Sequence, residues 1–255
     1  MSGPIDAQRA QPIVVLLRKE WLDLRRNYGA LAPLALVTLL AMVLPFVVTF
    51  GIPAWTGERL AGDSDLVRLG GRSGAPAWLS EEGRVQYFLL QQFLLLFLLT
   101  PITGAMALAA HAIVGEKQAR TLEPLLATPI STVELLVAKV LGALLPSLAM
   151  SAATLVLYLA GIAWLGEPGV AVAMLNGRTA VLAGWVGPTA SLVSLQAAIL
   201  VSSRVNDART AQQVGVLIIV PLTGLVVAQF AGAVWVTSAA LGLLGLGLLA
   251  LWLVL

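Results

Sequence analysis

Six apolar stretches, at residues 30–52, 86–112, 136–162, 176–202, 212–231 and 234–255, leave only short polar intervals between them. A helix needs about 20 mostly apolar residues to cross a hydrocarbon core, and inside that core only structures that satisfy their own backbone groups persist. The chain is therefore expected to be all-α, one polytopic membrane domain over residues 1–255 with six transmembrane helices. Composition removes the soluble alternative. With 59% apolar and 11% charged residues, the chain has too little polar surface to cover a globule of its length. The absence of cysteine excludes disulfides and thiolate metal sites but identifies no compartment. The first apolar run is long enough to span and no convincing small-residue cleavage site follows it, so it reads as a retained helix.

Orientation follows from Lys and Arg. With the N-terminus cytoplasmic, the inner segments hold Arg9, Arg18, Lys19, Arg25, Arg26, Lys117, Arg120, Lys139, Arg204 and Arg209, and the outer ones Arg59, Arg68, Arg72, Arg84 and Arg178. That bias predicts both termini inside a cell membrane. The cations are dispersed and lack interleaved aromatics, so the net charge of +2 is topological and no nucleic-acid partner is expected.

Residues 12–27 (PIVVLLRKEWLDLRRN) are polar yet periodic: Val14, Leu17, Trp21 and Leu24 recur at helical spacing. This predicts an interfacial helix in the headgroup plane, or else a basic flank that fixes topology. Pro33 and Pro45 predict a kink in the first span, which Pro53 closes. The outer segment, residues 53–85, is rich in Gly, Ser and charge; Trp55 and Trp78 suit the interface, and Leu60, Leu66 and Leu69 fit one short amphipathic helix or a solvated loop. The second span opens with Gln86, Tyr87, Gln91 and Gln92 and carries Pro101 and Gly104 at mid-depth. Amides in hydrocarbon face other helices or a wet cavity, so Gln91, Gln92 and Gln196 are cavity candidates, with interhelical bonding as the alternative. Glycines of the later spans, among them Gly184, Gly187 and Gly245, permit close helix approach.

The longest inner interruption is residues 111–142, HAIVGEKQARTLEPLLATPISTVELLVAKVLG. Residues 115–135 form its polar heart. Thr121 can cap a short helix whose Leu122, Leu125 and Leu126 share a face, with Pro124 tolerated in the first turn. Thr128-Pro129 stops it. Ser131 and Glu134 then form a capping box that starts the third span. Helix, break, helix at a membrane surface makes a rigid lever suited to a groove on a soluble partner.

The run GEKQARTLEPLLATPISTVELLVAKVLG resembles the hallmark cytoplasmic loop of type-2 ABC transporter permeases, over about thirty residues. The six spans, interfacial helix and outer loop agree with that resemblance. It implies that Glu116, Arg120, Thr121, Leu122, Glu123, Leu125 and Leu126 form a coupling helix region that docks on an ABC ATPase subunit. It also implies that residues 12–27 are a connecting helix and that the working unit pairs two permeases, by default a homodimer, with two ATPase subunits that carry ATP and Mg. The implied function is the membrane-spanning permease subunit of an ATP-driven exporter. One departure is that the chain stops at Leu255 without the expected basic tail, which reads as a truncated C-terminus.

Other classes fit less well. Lys19, Lys117 and Lys139 lie in no phosphate-binding loop, so this chain is not expected to hydrolyse ATP or to bind a cofactor itself. Glu116 and Arg120 loosely resemble the glutamate pair of some intramembrane proteases, but His111 is the sole histidine, which precludes a two-histidine zinc site, and no metal site is expected. Ser147, Ser151, Ser191 and Ser194 lack a plausible base. No span carries a convincing central charge for ion coupling. A non-transporting assembly or regulatory subunit is the remaining alternative.

Overall fold

The computed structural model describes residues 28–118, 132–204 and 236–254, with 17–19, 22, 224, 225 and 227–229. Its described elements are all helical. Helix α1 (Tyr28–Phe46) passes through a π turn (Val47–Gly51) into α2 (Ile52–Thr56); α3 (Ser64–Arg72) is short. Next come α4 (Glu81–Phe93), a 3₁₀ segment (Leu94–Leu98) and α5 (Leu99–Gln118). The long α6 (Thr132–Leu165) is followed by α7 (Val170–Met174) and α8 (Gly177–Val181). A second π turn (Leu182–Val186) leads to α9 (Gly187–Arg204), and α10 is Ser238–Val254.

Four stretches are long and apolar enough to cross a membrane: Leu34–Thr56, Glu81–Ala112, Val133–Leu165 and Gly177–Ser202. They correspond to the first four runs read from the sequence. The sixth run appears as α10, with 17 residues, while most of the fifth, and its tight turn near 230–233, lies outside the described residues. The first span departs from expectation at its end. Pro53 does not close it: the proline directly follows the π turn, and the helix runs on to Thr56 and stops at Gly57, whose φ of 74° is left-handed.

Constant spacing fixes how the spans pair. Lys139 bonds the carbonyl of Ala112 at 3.1 Å. Moving eight residues back along α5 and eight forward along α6 brings Gly104 onto Ser147, so the two helices are antiparallel. Spans two and four are parallel: Asn176 meets Tyr87, Thr179 meets Gln91, and Gly187 meets Leu98 in one register. The second span is the hub. Its Leu90, Leu94, Leu95, Phe97 and Ile102 are buried among Tyr158, Ile162, Leu182, Val186 and Leu241, and Ala105, Met106 and Ala109 pack on Ala143, Leu195 and Ala198. By contrast Leu36, Leu39, Leu40 and Val43 of α1, and Leu243, Leu246 and Leu253 of α10, are exposed. On a membrane protein such faces meet lipid or other subunits.

Helix α3 caps one end of the bundle. Asp63 accepts from the N–H groups of Asp65 and Leu66 at 2.8 and 3.3 Å, starting the helix. Leu60, Leu66, Val67 and Leu69 pack on Val85, Phe88 and Leu89, and the Glu82 carboxylate holds the Leu60 and Ala61 N–H groups. The amphipathic alternative for the outer segment is therefore the correct one. The connection itself is shorter than 53–85, since α2 ends at Thr56 and α4 begins at Glu81.

At Gly104 three helices approach closely: a Cβ there would lie 2.8 Å from Ser147 Cβ and 3.1 Å from a Leu34 methyl. Gly104→Leu should therefore wedge α5 from α6 and α1 and cost about 1–3 kcal/mol, read as a lower melting temperature in detergent. Gly247→Leu, where a Cβ meets nothing within 4 Å, should leave the melting temperature unchanged.

Candidate functional site

The connector between α5 and α6 was singled out by its sequence, and the structure frames it. Glu116 falls on the last turn of α5. Arg120, Thr121, Leu122, Glu123, Leu125 and Leu126 lie outside the described residues. The frame consists of α5 and α6, tied by the Lys139 ammonium on Ala112, with Ala110, Val114 and Val201 packing α9 against the same end. Lys139 is only 5% exposed, so its charge is committed to the helix junction and not to solvent.

Length places this junction relative to the membrane. Helix α6 has 34 residues, about 51 Å at 1.5 Å per residue, against a hydrocarbon core of about 30 Å. Trp164, 86% exposed near the far end, marks an interface level. Counting inward from it puts the polar start of α6, including Glu134 and Lys139, at the opposite boundary or beyond. Leu17 supports that level: with Leu141, Gly142, Leu145, Pro146 and Ala149 of α6 it lines a cavity of about 310 Å³. Helical geometry is described at 17–19 and 22; the rest of the proposed interfacial helix, 12–27, lies outside the described residues.

The opposite end of the bundle holds a polar layer. Gln86 accepts from the Glu167 N–H at 2.9 Å, Asn176 donates to the Tyr87 hydroxyl at 3.1 Å, and Gln91 donates to Thr179 Oγ1 at 3.4 Å. Asn176 also caps α8 by accepting from the Thr179 N–H. The hydrogen-bond network orients the Gln229 amide: its oxygen accepts from Arg178 Nη2 at 3.0 Å and from the Val236 N–H at 3.2 Å, and its nitrogen donates to Gln92 Oε1 at 3.1 Å. Gln86 and Gln91 thus join helices. Gln91 Oε1, Gln92 Nε2, Arg178 Nε and Gln196 Oε1 are buried without a hydrogen-bond partner. Gln196 sits apart from this layer, on α9 and about four to five turns along the fourth span from Thr179 of α8.

Below the polar layer the helices are irregular. The 3₁₀ segment of the second span and the π turn of the fourth face a recess of about 310 Å³, whose walls include Leu94, Phe97, Pro101, Leu155, Leu182 and Gly184. Side-chain hydroxyls add bonds to carbonyls beside these segments: Tyr158 donates to Leu90 O at 3.0 Å, Thr189 to Trp185 O at 2.8 Å, and Thr103 to Leu99 O at 2.5 Å. Sequence reading counted Arg178 as a loop charge and overlooked Tyr158. The signal for the first was available, since Arg178 stands inside the fourth apolar run; Tyr158 gave none, as one aromatic in a greasy helix.

An antiparallel pair of long apolar spans, within an all-helical bundle that exposes apolar faces, defines a polytopic membrane protein. The sequence profile described as ABC-2 family transporter protein matches residues 14–251. The chain belongs to the ABC-2 family of transporter proteins. No curated protein and no solved structure matches it.

Tyr158 is fully buried and its hydroxyl closes the bond to Leu90 O beside the 3₁₀ break. Tyr158→Phe leaves that carbonyl one partner short and should cost about 1 kcal/mol, measured as a lower melting temperature with the oligomeric state unchanged.

Proposed function

We propose that this chain is the permease subunit of an ATP-driven exporter in the cell membrane, with a cytoplasmic N-terminus, and that a separate ABC ATPase subunit docks on the connector. The observation that carries the reading is the family match over nearly the whole chain, joined to the placement of the connector between two packed spans. Glu116, Arg120, Thr121, Leu122, Glu123, Leu125 and Leu126 are the docking residues in this reading. Leu122, Leu125 and Leu126 supply the apolar face that enters the ATPase groove, and the charged residues set its register.

The mechanics follow from packing. A push on the connector reaches α5 and α6 together, because the Lys139 to Ala112 bond and the Gly104 to Ser147 contact tie them at two levels. The second span is also the hub against which the first and fourth spans pack. Closing the ATPase around ATP and Mg would then bias two arrangements of the whole bundle, inward- and outward-facing, through a differential contact at one lever. Two permease copies, each with its ATPase, form the working unit in this reading.

The test is co-purification of the tagged permease from its native membrane in mild detergent, with ATP hydrolysis measured on what is captured. A stoichiometric ATPase should accompany the wild type, and changing Leu122, Leu125 and Leu126 to Ser should weaken its retention by roughly tenfold or more, the loss of an interface anchor worth about 1.4 kcal/mol. Glu123→Arg should lower transport-linked hydrolysis while the permease stays inserted. Capture of the chain with no nucleotide-binding partner, after cross-linking to prevent dissociation, would favour a non-transporting membrane role.

A further inference from the structure

The polar layer and the apolar recess are consecutive levels of the same two spans. Gln91 is one turn from Leu94 and two from Leu98, and Arg178 and Thr179 are one turn from Leu182; Leu94, Leu98 and Leu182 line the recess. Residues three or four apart share a helix face, so polar groups sit directly over a hydrocarbon-lined hollow. Among the described residues Ser151 is the only polar side chain in its lining, and Ala183 and Gly184 are exposed, so the hollow opens sideways from the bundle.

The polar level carries a positive charge that no carboxylate among the described residues neutralises. Arg178 lies within a membrane-spanning segment, and among the described residues its hydrogen-bond acceptor is the uncharged Gln229 amide; no carboxylate stands within ion-pair distance. Its Nε is buried without an acceptor. So is Nε2 of Gln92, a residue with no exposed surface that holds the other end of the same Gln229 amide. These two atoms are enclosed, but Arg178 itself is only half-buried, so the accessible part of its guanidinium is what an anionic oxygen ligand would meet.

We propose that this pocket binds an anionic phospholipid of the surrounding leaflet, its phosphate held by Arg178 and one acyl chain in the hollow between the 3₁₀ and π segments. Three features favour a lipid over a free anion. The charge continues directly into an apolar hollow, the hollow opens toward the bilayer, and the depth is right. Trp55 and Trp164, 89% and 86% exposed, mark the headgroup level at this end of the bundle, where the fourth span begins with Gly177 and Arg178. The irregular helices gain a role in this arrangement: they open the hollow that regular packing would have filled.

The test uses the purified full-length permease in nanodiscs of phosphatidylcholine with a minority of phosphatidylglycerol, and counts retained lipids by native mass spectrometry. It needs no ATPase, so its outcome is separate from that of the docking experiment. The wild type should retain phosphatidylglycerol in preference to phosphatidylcholine. Arg178→Gln should reduce that preference by about tenfold, the loss of one charge-assisted hydrogen bond, and Arg178→Lys should keep part of it. Gly184→Leu provides a second arm: a Cβ there meets nothing within 4 Å, so the side chain can fill the hollow and expel the acyl chain while Arg178 stays in place. Equal retention of both lipids by the wild type, or an undiminished preference in Gly184→Leu, would overturn the proposal. Displacement of the lipid by inorganic phosphate alone would reassign the site to a free anion, and loss of a dimer in Gly184→Leu with lipid binding intact would reassign the hollow to a protein interface.

Discussion

Hydrocarbon offers no hydrogen-bond partner, and the organisation of this protein depends on that constraint. A span whose backbone groups are all paired internally is stable in lipid; one whose turns are loosened needs help from its neighbours. The described spans have three such places, the π turns Val47–Gly51 and Leu182–Val186 and the 3₁₀ segment Leu94–Leu98. Around the last two, hydroxyls of Tyr158, Thr103 and Thr189 give nearby carbonyls a further hydrogen bond. The 3₁₀ segment is largely buried, and the π turn Leu182–Val186 lies across the hollow from it with Ala183 and Gly184 exposed. A change of arrangement between spans two and four would meet the least regular packing there.

Close packing supplies what the hydrophobic effect does not between helices already in lipid. Small residues do most of this: Gly104 against Ser147, and Ala105 and Ala109 against Ala143 and Ala198. Such contacts depend on backbones approaching closely, so the helices move as a unit or separate at a substantial cost in dispersion energy. The exposed leucines of α1 and α10 make the opposite choice, since lipid tails solvate them as well as protein would.

The two ends of the bundle are chemically different, and the same helices join them. At the connector end a buried lysine ties the hairpin of spans two and three. At the other end amides and Arg178 link spans two and four through Gln229, while Gly169, at a φ of 92°, admits the Trp78 ring where a side chain would collide. The second span runs through both. A force applied at the connector therefore reaches the polar layer along a continuous, tightly packed element, without any separate relay.

Much of this was legible in the order of residues. Apolar run length specified helices that span, because a bilayer leaves few alternatives, and four runs reappear nearly at their expected limits; the spacing of Leu60, Leu66 and Leu69 left a helix and a solvated loop open, and packing on Val85, Phe88 and Leu89 decided for α3. The resemblance carried by residues 115–142 led to the family that the chain-wide match establishes. Tertiary structure alone decided the rest. Whether Gln86 and Gln91 bond helices, whether Arg178 meets a carboxylate, and where two irregular turns face each other are questions of which helix lies beside which. In an all-apolar sequence those pairings leave almost no local trace, since leucine is equally acceptable against lipid or protein. Sequence fixes what each segment must be in hydrocarbon; packing determines which polar groups find partners there and which are left to bind something else.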